Sequence, residues 1–157
     1  MTIWRKVTVG LRYLAILIAT IATASTLASA QSAKPVDKPF AEHHLALQLS
    51  ASDPKKEGLV ISVAYNLLKF YGPDKVAIEV VTFGPGIDLL KADNANRKLV
   101  DSLVAQGVRF DICGNTLDTI ARETGQRPAV NPNAVEVEAG VAQLLSLAEN
   151  GYTIVRP

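Results

Sequence analysis

The 157-residue sequence predicts an α/β fold, a three-layer sandwich built on a mainly parallel sheet of about five strands. Two observations carry that expectation. Short β-branched runs such as KVAIEVVTF and VRFDIC alternate with longer stretches whose apolar residues recur every three or four positions. That alternation is the signature of βαβ units, which bury a parallel sheet under helices on both faces. Turn residues also punctuate the changes of element, at Gly72-Pro73, Gly84-Pro85-Gly86, Gly107 and Gly151.

The first thirty residues stand outside the pattern. MTIWRKVTVGLRY carries Arg5, Lys6 and Arg12 and no acid; LAILIATIATASTLASA follows and ends in Ala28-Ser29-Ala30. A basic start, an apolar centre and an A-x-A ending form the layout of a secretory signal peptide. An uncleaved membrane anchor is the alternative, but the richness in Ala, Ser and Thr favours cleavage before Gln31. The chain therefore divides into a signal peptide at 1–30, a flexible leader with two prolines at 31–42, and a single domain at 43–157. Export to the periplasm is the implied location.

Removing the signal changes the charge. Of 16 Lys and Arg, three lie in residues 1–30, so 13 remain against all 15 acids, a net −2 in place of +1. No clustered cationic face is left for nucleic acid. No second apolar run reaches membrane-spanning length, so no stable insertion is expected after cleavage.

Within the domain, HLALQLS gives the first strand. Asp53 suits a helix N-cap, with Pro54 at the first helical position. Leu59, Val60, Val63, Ala64, Leu67 and Leu68 then mark one helix face, which Gly72-Pro73 ends. Asn66, beside Leu67, is either a buried polar group facing the sheet or an exposed residue at the margin of that face. KVAIEVVTF is the second strand, and Gly84-Pro85-Gly86 reads as a tight turn. Asp93 or Asn94 caps a second helix with Leu99, Leu103 and Val104 inward, and Gly107 stops it. VRFDIC is the third strand and passes directly into the helix-like NTLDTIARETG. GQRPAVNPNAVEVEAG is a loop with one short strand at Val135–Val137; VAQLLSLAEN is the last helix and YTIVRP the closing strand.

Ligands of open parallel sheets bind beyond the carboxyl ends of the strands. Three such ends stand out: residues 50–53, 83–86 and 111–116. Only the last holds a nucleophile. Cys113 is the single cysteine, so an exported chain cannot close an internal disulfide and is left with a free or intermolecular thiol. At a strand-to-helix junction the helix N–H groups would stabilise a thiolate. Gly114 would let the backbone approach a bound anion, and Asn115 and Thr116 would supply donors or cap the helix. A second reading stands beside this one, because free cysteine also packs as a small buried hydrophobe.

The other candidates are weaker. His43 and His44 are strand neighbours pointing to opposite faces, which argues against a shared metal. FGPGIDLL lacks both phosphate-binding glycine signatures, so no nucleotide cofactor is implied, nor any other cofactor. Arg122 and Arg127 read as solvated surface, with contact to an anionic substrate as the alternative. The absence of G-x-S-x-G disfavours a serine hydrolase.

Taken in order, HHLALQLSASDP, VAYNLL, IEVVTFGPGIDLL, LVAQGVRFDICGNTL and GYTIVRP resemble the DsrE/DsrF-like family. The resemblance spans 43–157 and is sharpest at the GPG turn, the Gly-Val-x-Phe-x-x-Cys block and the Gly-Tyr ending. It implies the same α/β sandwich and association as trimers or hexamers. In the family's sulfur-relay branch a cysteine after a central strand carries a persulfide between partner proteins, and Cys113 is the matching position. Asn115 and Thr116 match the C-x-N-T pattern of single-domain relatives. The residues after Cys113 depart from the relay branch, whose members are also cytoplasmic. The resemblance thus implies a sulfur carrier with sulfur-donor or acceptor partners, against the alternative of a non-enzymatic oligomeric binding module with a structural Cys113.

Overall fold

The computed structural model describes residues 38–157; the expected signal peptide, and the leader as far as residue 37, lie outside them. The domain is the expected α/β sandwich on a sheet of five strands, all parallel. The strands are β1 (His43–Leu49), β2 (Val76–Thr82), β3 (Arg109–Cys113), β4 (Val135–Val137) and β5 (Thr153–Val155), in the spatial order β4-β3-β2-β1-β5.

That order dictates the layers. Helices α1 (Pro54–Tyr71), α2 (Arg97–Ala105) and α3 (Gly114–Thr124) each link a strand to its next neighbour, stepping from β1 toward β4. Right-handed crossovers in one direction stack helices on one face. The chain then crosses back from the β4 edge to the β5 edge through α4 (Gly140–Glu149), and the reversed direction puts α4 on the opposite face.

The first face is a continuous apolar core. Leu47, Leu49, Val76, Ile78, Val80, Phe110 and Ile112 meet Val60, Ala64 and Leu68 of α1, Val100 and Leu103 of α2, and Leu117 of α3. Alternation along the strands sends the other residues to the second face, where Ala46 and Val81 meet only Leu144 and Leu147 of α4, flanked by Phe83 and Tyr152.

Local signals explain most boundaries. Asp53 caps α1, its carboxylate accepting from Lys55 N–H at 2.8 Å, and Pro54 opens the helix. Asn66 is exposed, which resolves its two alternatives toward solvent. Leu59 turns outward too, so the buried stripe runs through Val60, Ile61, Ala64 and Leu68.

Three expectations need correction. Gly84-Pro85-Gly86 is not a tight turn but opens a 3-10 helix, Gly84–Leu90, that buries Ile87, Leu89 and Leu90. Its glycine answers to a close approach, since a Cβ on Gly86 would collide with the Leu49 carbonyl. Helix α2 begins later than Asp93 or Asn94 suggested. Asn94 turns the chain by accepting from Asn96 N–H, and both asparagines donate side-chain N–H to Glu57, at 3.2 and 3.1 Å. Its buried face is also offset from the expected one: Val100 and Leu103 point inward and Leu99 is exposed. The last part of the leader, 38–42, is fastened rather than loose: Lys38 Nζ donates to the carbonyls of Pro73 and Val76, and Glu42 N–H to that of Lys75.

Candidate functional site

The carboxyl ends of β1, β2 and β3 come together. Phe83 N–H donates to the Leu49 carbonyl at 3.2 Å, Ser52 hydroxyl bonds the Asp88 carboxylate, and Gly84 N–H donates to Thr116 Oγ1 at 3.0 Å. Cys113 closes β3 and is also the N-cap residue of α3, so its sulfur stands where the unpaired amides of that helix begin.

A second helix reaches the same place. Gly140 opens α4, and a Cβ placed on it would lie 3.0 Å from Phe83 Cβ and 3.4 Å from Cys113 Cβ. A side chain there would press on Phe83, so glycine suits the close approach of α4 to Phe83 and the cysteine. The Thr116 hydroxyl and the backbone N–H groups of Gly140, Thr116 and Asn115 lie around the thiol, with the Asn115 N–H donating to the Glu138 carbonyl at 3.1 Å. Burial pushes the thiol pKa up, but these donors outweigh it and the net shift is downward. Thr116 is well set for this work: its oxygen accepts from Gly84 N–H, which leaves its own proton free for sulfur.

Of the residues the sequence singled out, Cys113, Asn115 and Thr116 converge. Cys113 is only 5 % exposed, Thr116 is half-buried and Asn115 is exposed. Gly114 serves a different neighbour: a Cβ there would sit 2.9 Å from Glu136 Oε1 and 3.3 Å from the Val137 carbonyl, so its smallness admits β4. Arg127 spans Asp118 and Glu136, and Arg122 donates to Thr119 Oγ1. His43 packs on Tyr71 with ring centroids 4.0 Å apart, and His44 meets Tyr152 edge-on at 5.1 Å.

Sequence reasoning passed over a buried charge cluster on the second face of the sheet. Arg109 Nε donates to Asp111 Oδ1 at 2.6 Å and lies 3.5 Å from Glu79 Oε1; Gln143 Nε2 of α4 donates to the same Glu79 oxygen at 2.6 Å. Glu79, Arg109 and Asp111 are 3 %, 8 % and 0 % exposed. Asp111 Oδ2 has no hydrogen-bond partner among the described residues, and the Glu79 carboxyl lies beside the Asp111 side chain. Burial, then the Glu79 carboxyl, push the Asp111 pKa up to about 8 against the pull of Arg109. The signal was present in the sequence. Arg109, Asp111 and Cys113 alternate along one strand and so share a face, and Glu79 interrupts an otherwise apolar β-branched run.

No family model matches the chain, and no curated protein matches it. Among solved structures it is similar to MTH1491 of Methanobacterium thermoautotrophicum, described as a protein of unknown function. The likeness is 28 % in sequence with a TM-score of 0.66, covering 74 % of this chain and 100 % of that one.

Proposed function

We propose that this chain is an exported DsrE-like protein that works through the Cys113 thiolate, accepting and donating sulfur in the periplasm. The observation that carries the reading is the convergence of two helix N-termini and the Thr116 hydroxyl on one sulfur. Such a setting stabilises negative charge, and a persulfide presents that charge on its terminal sulfur. The step balances without an external oxidant. Cys113 thiolate attacks the outer sulfur of thiosulfate, the S–S bond of the donor breaks, and sulfite departs with the electron pair. A partner thiolate then takes the outer sulfur and releases Cys113 as thiolate again. Asn115 and Thr116, in the first turn of α3, flank the sulfur, while Gly114 makes room for β4 beside them.

The test is mass spectrometry of the protein purified from its own cells, and of pure protein treated with thiosulfate or polysulfide. One added sulfur atom on Cys113, lost on reduction, is the expected result, with a mature chain starting near Gln31. A thiol that ionises like a free cysteine and gains no sulfur would end the proposal.

A second reading has its own support. Cys113 is 5 % exposed, while Val141 and Leu145 of α4 and Ile154 and Val155 of β5 lie open at 63, 61, 37 and 38 %. These observations suit an oligomeric binding module, trimeric or hexameric as the family resemblance implies, with Cys113 as packing. It predicts that Cys113→Ser keeps assembly and any ligand binding and changes mainly stability.

A further inference from the structure

The buried charge cluster and the thiol are separate groups that share one helix. Gly140 and Gln143 both belong to the first turn of α4; the first packs on Cys113, where a Cβ on it would lie 3.4 Å from the Cys113 Cβ, and turns its N–H toward the thiol, while the second holds Glu79 at 2.6 Å. We propose that Gln143 is a positioning residue for Cys113. By tying the first turn of α4 to the Glu79–Arg109–Asp111 cluster, it holds the Gly140 N–H in line with the sulfur. This inference rests on the reading of Cys113 as a reactive thiol.

The need for such a tie follows from how little else holds the helix. Apolar burial against the second face comes from Leu144 and Leu147, while Val141 and Leu145 face outward. Two leucines on Ala46 and Val81 give adhesion but little direction, since apolar contact tolerates sliding. Hydrogen bonding to sulfur does not: the donation weakens steeply with distance and angle. A directional bond one turn from Gly140 meets that requirement. Its acceptor is itself fixed, because Glu79 is 3 % exposed and lies against Arg109 and Asp111 on the neighbouring strand. Gln143 N–H also donates to the Ala139 carbonyl at 3.0 Å, so the side chain anchors the residue where the helix begins.

A merely structural Gln143, present only to satisfy a buried carboxylate, would alter stability and leave the thiol alone. The two roles separate by titrating the single cysteine in the full chain, reading thiolate ultraviolet absorbance against a Cys113→Ser blank. Gln143→Met keeps the volume and removes the donor; Gln143→Ser removes the donor and leaves room for water. Loss of one well-placed donor to a charged sulfur should lower the thiol ionisation constant about tenfold, a rise of about one pH unit in the midpoint. Leu144→Met, which keeps Gln143 in place, should leave the midpoint unchanged.

Four results decide the matter. A depressed midpoint in the unsubstituted protein that rises in either Gln143 variant, with Leu144→Met unmoved, supports the proposal. An equal rise in Leu144→Met overturns it, because general loosening of α4 would then suffice. A depressed midpoint that neither Gln143 variant moves overturns it while sparing the thiol reading, as does a failure of both variants to fold. An ordinary midpoint in the unsubstituted protein instead removes the thiol reading itself.

Discussion

The two faces of the sheet follow opposite rules. One lies under three helices and a 3-10 segment and is filled by aliphatic side chains and Phe110. Among the described helices the other face lies under α4, and it encloses Glu79, Arg109 and Asp111 beside a small apolar cluster. Cys113 stands at the end of the strand that carries two of those charges. The difference teaches a division of labour. Apolar burial on the first face gains free energy without regard to direction, whereas buried charges on the second must be paired and so fix geometry.

The largest effect should come from breaking the first face. Phe110 is fully buried, and Phe110→Ala should cost about 3–5 kcal/mol in denaturant unfolding while leaving the thiol midpoint in place. A midpoint shift on that scale would abolish the distinction between the faces.

The second face should answer to pH. A carboxyl whose pKa is raised keeps its proton in the folded chain where the unfolded chain has released it. With Asp111 raised to about 8, its contribution is fully present below the unfolded value and drains away as pH rises toward 8. The slope is at most about 1.4 kcal/mol per pH unit. Asp111→Asn, which needs no proton, should flatten the profile of unfolding free energy between about pH 5 and 8. An unchanged slope would show that the proton resides elsewhere.

The smallest effect sharpens the contrast. Asp53→Ala removes the α1 cap on the first face and should cost about 1 kcal/mol in stability, again with no change in thiol titration.

Much of this was legible in the sequence, for physical reasons that also mark where legibility ended. Strand and helix order followed from side-chain period, and the start of α1 from the local chemistry of Asp53 and Pro54. Cys113 at a strand–helix junction was readable because both elements are adjacent in the chain. The contribution of Gly140 was not, because it depends on a crossover that carries α4 over the sheet to a residue far away in sequence. Gly114 illustrates the same limit: its neighbour is Glu136, on another strand. The start of α2 was missed because Glu57, on a different helix, draws Asn94 and Asn96 into a turn ahead of it.

The path of the chain has a kinetic consequence. From β1 to β4 each strand pairs with the one before it, so the sheet can grow by neighbouring additions. Closing α4 and β5 onto β1 must bring the far edge back across the whole sheet, and such long-range closure is entropically delayed. A refolding chain should therefore acquire its sheet first and its Gly140 contact last. Until that moment the cysteine is an ordinary, open thiol. Pulsed alkylation during refolding should catch it in that interval, and labelling that stops before the sheet has formed would contradict this order.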